Sequence, residues 1–135
     1  MIMQFIAEQW MLVSVLVALI CVWIMYESRL TGKSLTPSML SQMVNQQKAQ
    51  VVDLRDKSEF KVGHIAGAIN IAHAELTTSV SKLEKYKANP IILVCKVGQH
   101  SSMISKVLNK QGFQVYRLGG GIGEWQHSQM PLIKA

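Results

Sequence analysis

Residues 91–108 read IILVCKVGQHSSMISKVL, and the changes of pattern inside this stretch decide the fold. Ile91 to Val94 is a short unbroken apolar run with three β-branched residues of four, which predicts a strand buried on both faces. Cys95 follows it directly and Gly98 supplies a turn. From about residue 101 to 111 the apolar positions Ile104, Val107 and Leu108 recur at helical spacing. A strand, a short loop and a helix in succession form one step of a parallel α/β sheet.

The alternation continues in both directions. VVDL at 51–54, INI at 69–71 and QVYRL at 114–118 read as further buried strands. Thr36 before Pro37 is a helix start, because the hydroxyl caps the first free amides and proline lacks the one it would leave unpaired. Met39, Leu40, Met43 and Val44 then carry a helix over 37–47. A short helical turn is expected near 57–62 and a helix near 77–86, with Leu83 inward. The expected architecture is a parallel β-sheet with helices on both faces, where working groups gather at the carboxyl ends of the strands. Two strand ends carry such groups: Asp53 and Arg55 after the first strand, and Cys95 after IILV.

Cys95 stands where loop amides and the start of a helix would surround its sulfur with N–H groups, which favours a thiolate. Lys96 and His100 add positive charge to the same loop. The plainer reading is a free cysteine that closes a core strand, and spacing leaves both open. Gly98 reads as a positive-φ turn and Ser101 as a helix N-cap, two roles that shape the loop.

The 135 residues allow one domain of about 100 residues with an appendage, but not two full domains. Apolar residues make up 49% and charged residues 16% of the chain, below the roughly 25% charge of soluble domains, which excludes disorder and points to a part outside water. That part is WMLVSVLVALICVWIMY, Trp10 to Tyr26, with no charged residue. As a helix it spans roughly 25 Å, near the lower limit for crossing a bilayer, and Trp10, Trp23 and Tyr26 sit where interfacial aromatics anchor the ends. No basic residue precedes it and no small-residue cleavage site follows, so an anchor is expected rather than a cleaved signal peptide. Arg29 and Lys33 follow the span, which by the positive-inside rule puts the C-terminal side in the cytoplasm.

All 14 Lys and Arg lie at Arg29 or later, and against seven carboxylates they leave residues 27–135 at +7. The lysines are scattered, so they read as a solvated surface and not as a nucleic-acid stripe. The two cysteines, Cys21 in the apolar run and Cys95, form no disulfide framework, which fits a reducing compartment. His73 and His127 read as surface or turn residues, and no set of side chains has metal-ligand spacing.

Three motifs in order, VVDLRDKSEFKVGHIAGAINI, the CKVGQHSS loop and GFQVYRLGGGIGEW, resemble the signatures of rhodanese-homology domains from Leu35 nearly to the C-terminus. With the apolar segment in front, the chain is similar to the single-domain rhodaneses of bacterial inner membranes. The resemblance implies a transmembrane helix within residues 1–27, a linker at 28–34 and a rhodanese-like domain at 35–135. It implies a sulfurtransferase in which Cys95 takes a sulfane sulfur from thiosulfate or a persulfide and passes it to a thiol acceptor. Lys96, Val97, Gly98, Gln99, His100 and Ser101 would bind the anion, with Asp53 and Arg55 in support, His64 and Gly67 shaping the turn before INI, and no cofactor or metal. Gly120, Gly121 and Trp125 match a closing signature whose implied role is packing. Many loops of the family carry arginine where this chain has His100. Related phosphatases use a loop one residue longer that ends in arginine, where this chain has Ser101 and Ser102. The competing function is a membrane-tethered interaction module that uses the fold to bind other membrane proteins and lies against lipid headgroups.

Overall fold

A computed structural model describes residues 1–30, 33–78, 80–96 and 99–134, with backbone alone at 28–30, 77 and 99. The chain divides into two compact units, Met1–Leu30 and Thr31–Ala135.

The first unit is helical: α1 spans Ile2–Glu8 and α2 spans Trp10–Leu30. Over Trp10–Glu27 the mean hydropathy is 2.1 and no residue is buried, so α2 is long and apolar enough to cross a membrane. The Ser14 hydroxyl, in the first half of the span, is satisfied internally, its Oγ donating to the Trp10 carbonyl at 2.7 Å, which removes the polar cost of that residue in an apolar surround.

In the second unit five strands, β1 Lys33–Leu35, β2 Gln50–Asp53, β3 Ile69–Asn70, β4 Ile91–Val94 and β5 Val115–Leu118, form one sheet in the order β1-β5-β4-β2-β3. Every pairing is parallel. Helices cover both faces, which is why the central strand β4 is buried at all four positions. Its side chains alternate between two cores. Ile91, Leu93 and Cys95 pack with Ile104, Leu108 and Phe113 on one face, and Ile92 and Val94 pack with Leu40, Leu118 and Trp125 on the other. The first face is covered by α5 (His73–Thr78), a 3₁₀ helix (Val80–Tyr86) and α6 (Gln99–Lys110), and the second by α3 (Pro37–Gln47) and α7 (Gly121–His127). A further short helix, α4 (Lys57–Val62), lies between β2 and β3.

Helix α3 begins as expected, with the Thr36 hydroxyl accepting from the Met39 amide at 3.3 Å and Pro37 in the first turn. Three elements differ from expectation. Lys33 and Ser34, which read as linker, are in strand β1 beside β5, because a short edge strand is held by its ladder and needs no apolar run. The helix expected near 77–86 is α5 followed by the 3₁₀ helix. The GGGIGEW stretch, which carries little helix propensity, folds as α7 because Ile122 and Trp125 have a core to enter.

Candidate active site

Cys95 follows the last residue of β4, 3% exposed, with its side chain on the α6 face. Its sulfur lies 3.8 Å from Ser101 Oγ, with the thiol as donor. Helix α6 begins at Gln99, so Ser101 is inside the first turn and not the N-cap expected from sequence. A serine two residues into the helix turns its hydroxyl toward the strand end, and Ser101 is 1% exposed. Of the expected anion loop, Val97 and Gly98 lie outside the described residues, as does the side chain of Gln99. Lys96 and His100 are exposed on either side of them.

A cavity of about 140 Å³ opens at the sulfur, lined by Leu54, Arg55, Asp56, Glu59, His73, Cys95, Lys96 and His100. It brings together four positions singled out from sequence, Arg55, Cys95, Lys96 and His100, which belong to two strand ends and α6. Parallel pairing explains this. Asp53 on β2 is in register with Val94 on β4, so the chain leaves both strands at the same edge of the sheet.

Asp53 is 1% exposed and is held by a two-toothed contact from Arg55, Nη2 to Oδ2 at 2.8 Å and Nε to Oδ1 at 3.0 Å. The Arg55 amide donates to the same Oδ1 at 3.0 Å, and Nη2 reaches the Gly63 carbonyl at 2.6 Å. A carboxylate taken from water needs this many donors to remain charged. The pair ties the end of β2 to the turn after α4, and Asn70 Nδ2 closes the bracket by donating to the carbonyls of Asp53 and Arg55 at 3.1 and 2.9 Å.

His64 takes no part in the cavity. Its Nδ1 pairs with the Phe60 carbonyl at 2.9 Å, its ring stacks on Phe60 at 3.8 Å, and its backbone exchanges two 2.8 Å hydrogen bonds with Ile133. Gly67 adopts φ +80° in the turn before β3. Gly120 and Gly121 have φ of +73° and +61°, and Trp125 is buried with its indole N–H on the Pro131 carbonyl at 2.9 Å.

Three features of the site were missed by sequence reasoning. His73, read as a surface or turn residue, lines the cavity and stacks on His100 with centroids 3.8 Å apart and planes 7° from parallel. Arg117 sends Nη1 under α6 to the Ser102 hydroxyl at 2.8 Å, while its Nε is buried with no hydrogen-bond partner among the described residues. The start of α7 holds the strand end, with the amides of Ile122 and Gly123 donating to the carbonyls of Cys95 and Lys96 at 2.9 and 3.3 Å. Nothing local in the sequence marks any of the three: Arg117 lies in QVYRL, which reads simply as a buried strand. Among the described residues no group of three or more His, Cys, Asp or Glu is arranged to hold a metal ion.

The model of the rhodanese-like domain matches residues 36–128. An uncharacterized protein, YibN, of Escherichia coli (strain K12) is 36% identical over 104 residues, covering 76% of this chain and 73% of its own. The thiosulfate sulfurtransferase GlpE of Shewanella oneidensis is 34% identical over 97 residues, 71% of this chain and 94% of its own. Among solved structures, a rhodanese-related protein from Thermoplasma volcanium superposes with a TM-score of 0.70 at 25% identity, over 76% of this chain and 99% of its own. A domain match over most of the sheet and both strand ends, with relatives above 30% identity, has one meaning: the chain belongs to the rhodanese-like family.

Proposed function

We propose that the protein is a sulfurtransferase that carries sulfane sulfur on Cys95, anchored by α2 in the bacterial inner membrane with residues 35–135 in the cytoplasm. The observation that carries this reading is the presence of Cys95 in the lining of a cavity at the carboxyl edge of the sheet, with the Ser101 hydroxyl beside its sulfur. Membership of the family that includes GlpE-like enzymes supports it.

In the first step the Cys95 thiolate attacks the outer sulfur of the donor. A sulfur–sulfur bond forms to Sγ, the donor's own bond to that sulfur breaks, and its electron pair leaves with the donor fragment. In the second step an acceptor thiolate attacks the terminal sulfur and Cys95 leaves as thiolate. Both states of Cys95 are anionic, so the residues from Lys96 to Ser101 act by holding negative charge at a fixed point. Asp53 and Arg55 support them by fixing the neighbouring strand end.

The test is mass spectrometry of the full chain in detergent, before and after a panel of sulfane donors that includes thiosulfate and a thiol persulfide. The expected result is a gain of one sulfur atom mapping to Cys95, discharged by added thiol and absent from Cys95→Ser. A chain that gains no sulfur from any donor would overturn the reading.

A further inference from the structure

We infer that the cleft between α3 and the segment after α7 is a second ligand site, and that it takes a small neutral aromatic molecule carrying one hydrogen-bonding group. The cleft holds about 340 Å³ and shares no lining residue with the thiol cavity, so the inference is independent of the sulfur-transfer reading. Its volume is at the low end of small-molecule sites, about 300–1,000 Å³, which suits a ligand of one or two rings.

The walls of the cleft are built before any ligand arrives. Leu40, Ile65 and Trp125 belong to the buried core, each 4% exposed or less, and a packed core does not yield. After α7 the chain turns at Gln129, whose φ is +59°, and the Met130 amide donates to the Trp125 carbonyl at 3.1 Å. The Trp125 indole N–H donates to the Pro131 carbonyl at 2.9 Å. These two bonds fix Met130 and Pro131 to Trp125 and complete the lining opposite α3. An indole and a thioether are side chains that hold an aromatic ring, by offset or edge contact and by sulfur at the ring edge.

The polarity of the cleft defines the rest of the ligand. Among the described residues that line it none is charged, and α3 carries no charge along its eleven residues, although residues 27–135 as a whole stand at +7. An ionised ligand would give up hydration there with no counter-charge to replace it. Ser41 and Asn45 lie one helical turn apart on α3 and both line the cleft. Neither side chain has a hydrogen-bond partner among the described residues. A hydroxyl and a primary amide thus stand ready for one polar, uncharged group on an otherwise apolar molecule.

The experiment is equilibrium dialysis of the full chain in phosphatidylcholine nanodiscs against 2-naphthol and against 2-naphthoate at neutral pH, with empty discs subtracting uptake by lipid. Saturable binding of 2-naphthol is expected, tighter than that of the carboxylate by about tenfold or more, because only the carboxylate must bury a charge. Ser41→Ala combined with Asn45→Ala should weaken 2-naphthol by about fivefold through lost hydrogen bonds. Asn45→Lys, at an exposed position, should narrow the gap between the two probes by supplying the missing counter-charge. No saturable binding of 2-naphthol overturns the inference, and so does a carboxylate that binds equally well or better. Affinities that move in neither variant overturn it too, because the molecule then sits elsewhere.

Discussion

A Cβ added to Gly121 would lie 2.0 Å from the carbonyl oxygen of Cys95, so the start of α7 and the backbone that carries the thiol touch with no room between them. The same Cβ would meet the Lys96 carbonyl carbon and oxygen at 2.8 Å, and Gly121 also has φ +61°. Glycine meets both demands at once. The close approach lets the Ile122 amide reach the Cys95 carbonyl, so α7 sets where the strand end stops.

Gly121→Ala is therefore expected to cost about 3 kcal/mol, from overpacking against backbone and a strained φ together. Urea denaturation reads the loss as a lower midpoint, and alkylation of Cys95 in the folded variant should change rate because its carbonyl has moved. An unaltered midpoint would mean that α7 shifts aside at no cost.

The Asp53–Arg55 pair, with side chains 1% and 9% exposed, predicts a strongly coupled double-mutant cycle. Asp53→Asn and Arg55→Met each leave a buried partner unpaired and should each cost about 3 kcal/mol. The double variant should cost clearly less than the two together. Additive losses would show that the two residues act through separate neighbours, such as the Gly63 carbonyl.

Arg117 predicts an asymmetry between two substitutions. Its Nε is buried without a hydrogen-bond partner among the described residues, so Arg117→Met, which keeps the stem and removes that group, should fall within about 1 kcal/mol of the parent or exceed it. Arg117→Ala also removes the stem under α6 and should cost about 2 kcal/mol. Equal losses in thermal denaturation would assign the value of Arg117 to its charge and its Ser102 contact instead of its packing.

For the proposed anchor, the full chain expressed in bacteria should stay with membranes through alkaline carbonate extraction, whereas a chain lacking residues 1–30 should move to the soluble fraction. Recovery of the full chain in the soluble fraction would overturn the anchor. A C-terminal reporter active only in the cytoplasm tests the orientation read from Arg29 and Lys33.

Sequence reading recovered the elements whose signal is local. IILV is buried on both faces and reads as a strand on its own, with the observed bounds of β4; Thr36 and Pro37 mark the start of α3 because capping chemistry belongs to two adjacent residues. Strand β1 was hidden because an edge strand of three residues is held by β5 and not by apolar content. Helix α7 was hidden because the four glycines of GGGIG, two of them inside the helix, argue against it until the Ile122 and Trp125 pockets exist. Ser101 was read as the N-cap but lies in the first turn, because α6 begins two residues earlier at Gln99, and helix ends are set by packing and not by one local residue.

By itself the sequence determined the fold class, the apolar helix, and that Cys95 ends a strand before a helix, because periodicity, capping and motif order are properties of neighbouring residues. Only the tertiary structure decided that Arg55 is spent on Asp53, that Asp56 and Glu59 line the same cavity as Cys95, that His73 stacks on His100, and that Gly121 presses on the Cys95 carbonyl. Those relationships join residues separated by 2 to about 40 positions. They arise where parallel strands end together at one edge of a sheet, a distance in space that no local pattern encodes.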